Sequence, residues 1–293
     1  MQTTLDCLPC FMKQALFTGR IATDSPYVRK KIMDAAARLL PEFDMTLSPP
    51  ENAIGLYSLI ARLSGTDDPF KEIKEKSTQM ALGLRDEIKR ETESSPDPLA
   101  TALKYAIAGN IIDYGAPHRF NIKKTIENCL AHEFKINHID RFREDLEKAE
   151  SILYLADNCG EIVFDSILIE QLEKPVTFVV KESPIINDAL FQDAVDSGLD
   201  RLCTVITNGT NCPGTPLDSC SPIFKKTFKT ADIIISKGQG NFETLSEIKG
   251  PIYSLLTVKC QVVARHITEF LPDPEDKVAP GDMILMRNHN FCK

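Results

Sequence analysis

The chain has 293 residues, enough for one large domain or two ordinary ones, and a hydrophobic content of 43% that fits a globular protein. Its net charge of −8, with no long basic block, argues against nucleic acid or an anionic membrane as the main partner. No apolar run approaches the roughly 20 residues needed to span a bilayer. The start, Met1-Gln-Thr-Thr-Leu-Asp6, lacks the charged-then-apolar layout of a signal peptide, so a soluble, cytoplasmic protein is expected. Nine cysteines, an odd number in a long chain, do not suggest a secreted disulfide scaffold.

In chain order, Cys7-Leu-Pro-Cys10 comes first. The spacing allows a redox pair or half of a metal site. No second Cys-x-x-Cys follows, and the pair precedes a helical stretch instead of following a strand, which counts against a thioredoxin-type motif. Residues 11–150 read as almost wholly helical. Apolar residues recur near 3.6 spacing over Phe11–Phe17, Tyr27–Leu40, Glu51–Leu63, Pro69–Glu91, Pro98–Ile112 and Ile122–Leu130. Ser25-Pro26 and Asp68-Pro69 place an N-cap type before a proline at the first helical position. Within Gly109-Asn-Ile-Ile-Asp-Tyr-Gly115, Asn110 and Asp113 share one helical face beside two glycines. That is either a glycine-capped helix end or a polar finger reaching into a cleft.

From residue 151 the pattern changes. Strand-like runs at Ile152–Ala156, Val176–Val180, Leu202–Ile206, Ile233–Ser236, Ile252–Leu256 and Met283–Met286 alternate with helical stretches. The alternation predicts a mostly parallel sheet with helices on both faces, and the last run is expected to be an antiparallel edge strand. The reading is therefore an all-helical domain over 1–150 packed on a doubly wound α/β domain over 151–293.

A parallel sheet brings its strand ends to one edge, where ligands bind. The first strand ends in Asp157, Asn158, Cys159, Gly160 and Glu161, the second in Lys181 and Glu182 with Asn187-Asp188 beyond, and the third in Thr207-Asn208-Gly209-Thr210. Lys237-Gly238-Gln239-Gly240-Asn241 ends the fourth, and Thr257 with Lys259-Cys260 the fifth. Asp157, Asn158 and Asp188 supply two carboxylates and an amide oxygen, donors that suit a hard cation such as Mg²⁺ or Mn²⁺. Lys237, in a glycine loop opening a helix, could hold a phosphate through charge, backbone N–H groups and helix dipole, and Thr207 to Thr210 could form a second anion loop. Together these groups suit phosphoryl chemistry. Helix caps and solvated loop positions are the alternative reading for each residue taken singly. Cys159, at a helix start, is a weaker candidate nucleophile with no His nearby in sequence.

The ordered set Cys7-x-x-Cys10, Gly109-Asn110-x-x-Asp113, Asp157-Asn158-x-Gly-Glu161, Asn187-Asp188, Asn208-Gly209-Thr210, Pro213-Gly-Thr215, Ser236 to Glu243 and Lys259-Cys260 resembles the damage-control phosphatase family, also called the ARMT-like or protein-of-unknown-function 89 family. It is similar to the stand-alone branch with an amino-terminal Cys-x-x-Cys. The resemblance implies a helical region on a Rossmann-like domain with a divalent metal between them, on Asp157, Asn158 and Asp188. It implies phosphate binding by Lys237, Gly238, Gly240 and Asn241, and a cleft lined by Asn110, Asp113, Glu161, Asn208, Gly209 and Thr210. The implied activity is hydrolysis of phosphate monoesters, with Mn²⁺, Ni²⁺, Co²⁺ or Mg²⁺, on small phosphorylated metabolites: damaged or surplus nucleotides or sugar phosphates. Cys159 departs from the small residue expected there. The alternatives are a metal- or nucleotide-binding sensor in which Cys7 and Cys10 report redox state, and an S-adenosylmethionine-dependent methyltransferase. The sequence leaves the oligomeric state open.

Overall fold

The computed structural model describes residues 1–112, 130, 133–273 and 275–288. Asp113 and most of the expected helix Ile122–Leu130 lie outside the described residues. Five helices come first: α1 (Cys7–Ala22), α2 (Pro26–Leu39), α3 (Pro49–Ser64), α4 (Lys71–Ser94) and α5 (Pro98–Ala108). Their starts follow from capping chemistry. The Ser25 hydroxyl accepts the Val28 N–H at 3.4 Å, Ser48 and Glu51 form a capping box, and the Asp97 carboxylate accepts the Ala100 N–H at 3.1 Å. Helix α3 ends where Gly65 takes a left-handed φ of 72°. The Cys-x-x-Cys pair, expected before a helix, forms the first turn of α1 itself. Phe11, Ala15, Ile32, Ala36, Leu56 and Ile60 close a core among α1, α2 and α3.

The strands make one seven-stranded sheet in the order β1-β7-β6-β5-β2-β3-β4. They are β1 (Ile136–Asn137), β2 (Ile152–Leu155), β3 (Val176–Val180), β4 (Thr204–Thr207), β5 (Ile233–Lys237), β6 (Ile252–Thr257) and β7 (Met283–Arg287). Every pairing is parallel except β6 with β7. The last strand is antiparallel to β6 as expected but does not form the edge, because β1 pairs beyond it through Ile136 with Ile284 and Asn137 with Leu285. A two-residue strand is too short to show alternation, which hid β1 inside a stretch read as helical.

Six further helices among the described residues complete the fold: α6 (Ile139–Lys148), α7 (Glu161–Leu172), α8 (Phe191–Asp196), α9 (Pro222–Thr230), α10 (Gly238–Leu245) and α11 (Gln261–Thr268). From β2 the chain winds outward to β3 and β4, then returns to the other side of β2 for β5 and β6. The carboxyl ends of β2 and β5 therefore form a topological switch point, the position where such sheets open a crevice.

Helix α7 joins the helical region to the sheet. It is apolar almost all round, as a helix buried on every side must be. Ile162 and Leu168 pack into the sheet core, whereas Val163, Phe164 and Ile167 pack with Tyr105 of α5 and with Ala81 and Ile88 of α4. No helix among the described residues is long and apolar enough to cross a membrane. On α6, Phe142 is fully buried and stands edge-on to Tyr253 of β6 at 4.9 Å. Phe142→Ala is expected to lower unfolding free energy by about 3–5 kcal/mol, read as a lower urea midpoint at constant m value.

Candidate active site

At the switch point a cleft of about 230 Å³ opens between the helical region and the carboxyl ends of the strands. Asp157, Asn158, Asn187, Asp188, Gly240 and Lys259 line it from the sheet side; Cys10, Gln14 and Tyr57 line it from α1 and α3. Residues 157 and 188, far apart in sequence, are locked together by backbone. The Ala189 N–H donates to the Asp157 carbonyl at 2.9 Å, the Cys159 N–H donates to the Asn187 carbonyl at 3.0 Å, and Asn158 bridges Asp188 in antiparallel fashion. The Asp157 carboxyl is pushed well above the usual carboxylate range by burial, then by the Glu161 and Asp188 carboxylates, with Lys259 and Lys181 pulling the other way.

Two amides restrain this carboxylate. Asn110 Nδ2 donates to Asp157 Oδ2 at 3.1 Å and to Glu161 Oε2 at 3.0 Å; Asn158 Nδ2 donates to the same two oxygens at 2.9 and 3.0 Å. Asn110, a candidate for lining the cleft, thus acts from beneath its floor as a tie from the helical region. Glu161 likewise lies buried behind Asp157. Gly238 has a φ of 78°, and a Cβ there would come within 2.0 Å of Asp157 Oδ2, so only glycine leaves room for the carboxylate. At Gly240 a Cβ would meet the Pro213 carbonyl oxygen at 1.8 Å.

Lys237 opens helix α10 as expected, but its side chain does not lie in a glycine loop facing the cleft. It is wholly buried, and Nζ donates to Glu161 Oε1 at 2.6 Å, Asp165 Oδ1 at 2.6 Å and the Ala106 carbonyl of α5 at 2.8 Å. Two carboxylates and a carbonyl use the three donors of an ammonium. Burial pushes the Asp165 carboxyl up to about 6, against the opposing pull of Lys237. The lysine at the cleft mouth is Lys259, which is exposed and lines the cavity. Lys181 is buried, donating to the Gly214 carbonyl at 2.7 Å with Asp188 Oδ2 at 3.6 Å.

The loop Asn208-Gly209-Thr210 does not line the cleft. Asn208 accepts the Thr210 N–H at 3.0 Å and Thr210 accepts the Cys212 N–H at 3.3 Å, so these two N–H groups serve an internal turn and not an anion. Asn241 braces the floor, with Nδ2 donating to the Ala156 and Lys237 carbonyls at 3.0 and 2.8 Å. Cys159 is buried, and burial raises its thiol well above the ordinary range; the helix start does not make it a thiolate. Cys10 reaches the cleft while Cys7 is buried behind it. Sequence reasoning missed Glu243 and Gln239, which lie one turn apart on α10 and are joined by a 2.9 Å hydrogen bond in the cleft wall. Their i, i+4 spacing after Lys237 was the available signal.

The architecture and the cleft invite comparison with known proteins. The damage-control phosphatase ARMT1-like domain matches residues 3–271. The chain belongs to this family. It is 37% identical over 297 residues to a damage-control phosphatase of Pyrococcus horikoshii, covering 98% of this chain and 99% of that protein. A damage-control phosphatase of Archaeoglobus fulgidus is 30% identical over 285 residues, covering 93% of this chain and 97% of that one. The crystal structure of a DUF89 family protein from Pyrococcus horikoshii matches with a TM-score of 0.88 at 37% identity, over 98% of this chain and 99% of that chain. Family and fold class both agree with the resemblance read from the sequence.

The donor set fits a divalent cation. Among the described residues, the buried carboxylates Asp157, Glu161, Asp165 and Asp188 on and beneath the cleft floor face two buried ammonium groups, Lys181 and Lys237. Over these six groups the floor is two positive charges short, and Asp157 and Asp188, which line the cleft, carry hard oxygen donors. Among the described residues no three His, Cys, Asp or Glu side chains are grouped as ligands, so a cation here would rest on Asp157, Asp188 and the Asn158 amide oxygen, with water completing its shell.

Two variants test the electrostatics. Lys237→Met leaves Glu161 and Asp165 buried without their cation, and a loss of about 3–5 kcal/mol is expected in urea unfolding near neutral pH. The Asp165 carboxyl then rises further above its ordinary 3.8, and a raised carboxyl favours folding only while protonated. The loss should therefore be smallest near pH 4 and grow as pH rises through 6; a loss that does not change with pH contradicts the arrangement. Glu243 is pushed up to about 7 by burial, from an ordinary 4.5, despite the Gln239 hydrogen bond. Its contribution to stability is present below 4.5 and lost as pH rises through 7. With EDTA present, Glu243→Gln should gain on the wild type between those values, by about 3 kcal/mol at most, and level off above.

Proposed function

We propose that the chain is a metal-dependent phosphatase that hydrolyses phosphate monoesters of small metabolites. The observation that carries this reading is the charge deficit of the cleft floor, set beneath an open cavity with Lys259 at its mouth. The phosphatase names of the relatives point the same way. Asp157, Asp188 and Asn158 would hold a divalent cation, Mn²⁺, Ni²⁺, Co²⁺ or Mg²⁺. When bound, the cation supplies neutralising charge and polarises a phosphoryl oxygen.

The side chains of the chain do the rest. Lys259 offers its ammonium to phosphoryl oxygens and stabilises charge that grows in the transition state. Asn110 and Asn158 fix the orientation of Asp157, so that one of its oxygens stays committed to amide donors. Glu161 holds both amides, and Lys237 holds Glu161. Lys237 is thus a positioning residue that acts through Glu161 and does not touch phosphate. Attack by water and attack by the Asp157 carboxylate are both open to this geometry.

Release of inorganic phosphate from a panel of sugar phosphates and nucleotides, with EDTA or each metal, tests the reading. Metal-dependent release that falls by about a thousandfold in Asp157→Ala is expected. Lys259→Ala should raise KM by about tenfold, an exposed charge-assisted contact being lost. Metal binding without phosphate release under any condition would replace this reading with a sensor in which Cys10, at the cleft wall, reports on the site.

A further inference from the structure

A second cavity of about 220 Å³ adjoins the cleft and has no part in the chemistry above. Tyr57 and Ile186 line both cavities, so the two meet at these residues. Ile186 directly precedes Asn187-Asp188 and holds a left-handed φ of 44°, a conformation that a β-branched residue adopts only when the surroundings impose it. The floor of the cleft and the wall of the second cavity are therefore one strained turn. Burial, with help from the nearby Asp188 carboxylate, raises the Tyr57 phenol, which stays a neutral hydroxyl donor.

The lining is mixed: Ala61, Phe70 and Ile185 give it apolar walls, among which hydroxyl and carboxyl groups are set. Thr18 is 2% exposed, yet its hydroxyl has no hydrogen-bond partner among the described residues. A helical threonine usually returns that hydroxyl to the carbonyl one turn back, so a buried unmatched hydroxyl at a cavity wall marks a place for a ligand group. Ser58 adds a second hydroxyl. Asp67 and Asp68 add two carboxyl groups to the lining. Asp68 is held by Lys74 at 2.7 Å, whereas Asp67 forms no ion pair among the described residues. No Lys, Arg or His is among the described residues lining the cavity.

We propose that this second cavity is an acidic discriminator. It receives the uncharged, hydroxyl-bearing end of a monophosphorylated substrate and turns away substrates that carry a second phosphate there. The inference deepens the phosphatase reading and rests on it for the placement of the first phosphate. Hydroxyl groups can donate to Asp67 and accept from or donate to Thr18 and Ser58, whereas a second phosphate would meet the Asp67 carboxylate, and the only cation near Asp68 among the described residues, Lys74, is committed to that carboxylate and does not line the cavity. Exclusion by charge is the negative half of specificity, and its signature is a discrimination that salt weakens.

The test is isothermal titration with Mn²⁺ present, using fructose 6-phosphate and fructose 1,6-bisphosphate on wild type, Asp67→Lys and Thr18→Val. Asp67 is exposed on a loop, so its replacement is not expected to disturb folding. Wild type should prefer the monophosphate, and Asp67→Lys should narrow or invert the preference by roughly five- to tenfold. Thr18→Val should weaken the monophosphate by roughly fivefold. Equal binding of the two probes by wild type, binding of neither, or a preference unaltered in Asp67→Lys overturns the proposal. Phosphate release with the same probes separates the two ideas. Discrimination without turnover leaves the subsite standing and removes the phosphatase reading; turnover without discrimination does the reverse.

Discussion

The buried ammonium of Lys237 is the interaction on which the site depends. It lies where β5, α5 and α7 meet, and its three donors go to three groups that would otherwise be costly to bury: the Ala106 carbonyl, Glu161 and Asp165. A charge this far from water is tolerable only when fully paired, and the carboxylates are tolerable only because of it. The consequence reaches the surface in two steps. Glu161 is fixed by Lys237 through one oxygen and by Asn110 and Asn158 through the other, and the same two amides hold Asp157. A cleft carboxylate is thereby oriented by a cation that never enters the cleft. The same network ties the helical region to the sheet, through Ala106 in the last turn of α5 and Asn110 just beyond it.

Close backbone approach is the second constraint. Gly238 and Gly240 lie on the first turn of α10, and at both positions a side chain would overlap atoms that build the site, the Asp157 carboxylate in one case and the Pro213 carbonyl in the other. The glycines of Lys237-Gly-Gln-Gly-Asn241 serve packing of one strand end against another. They resemble a phosphate loop in sequence because both uses need a residue without a Cβ at a helix start.

The strands were legible because each is a short run of β-branched or apolar residues stopped by turn formers, as Val176–Val180 shows, and the sheet edge followed from their alternation with helices. Asp157, Asn158 and Asp188 could be grouped for the same reason. The direction of a side chain at a strand end could not be read, and Lys237 was therefore placed in the cleft. One signal was available. Glu161 and Asp165 are four apart on a helix that is mostly apolar through Ile169, and two acids one turn apart in that buried stretch call for a buried cation. The short β1 and the second cavity left no such trace. The cavity gathers Thr18, Tyr57, Asp67 and Ile186 from four separate segments whose spacing carries no period.

Charge ties these features to function. The chain carries a net −8, and its cleft floor holds more buried carboxylate than ammonium, so the polypeptide alone repels the phosphate esters that the proposed activity requires. Lys259 offsets part of this at the mouth, but an exposed ammonium is strongly screened and cannot balance a buried acidic floor. The raised Asp157 carboxyl is the same imbalance seen from the protein side: without added positive charge, the floor relieves itself by taking up a proton. A site built this way has affinity for an anion only as far as a cation neutralises it. The proposed metal dependence rests on this floor, whose positive charges among the described residues, Lys181 and Lys237, are already committed to holding it together.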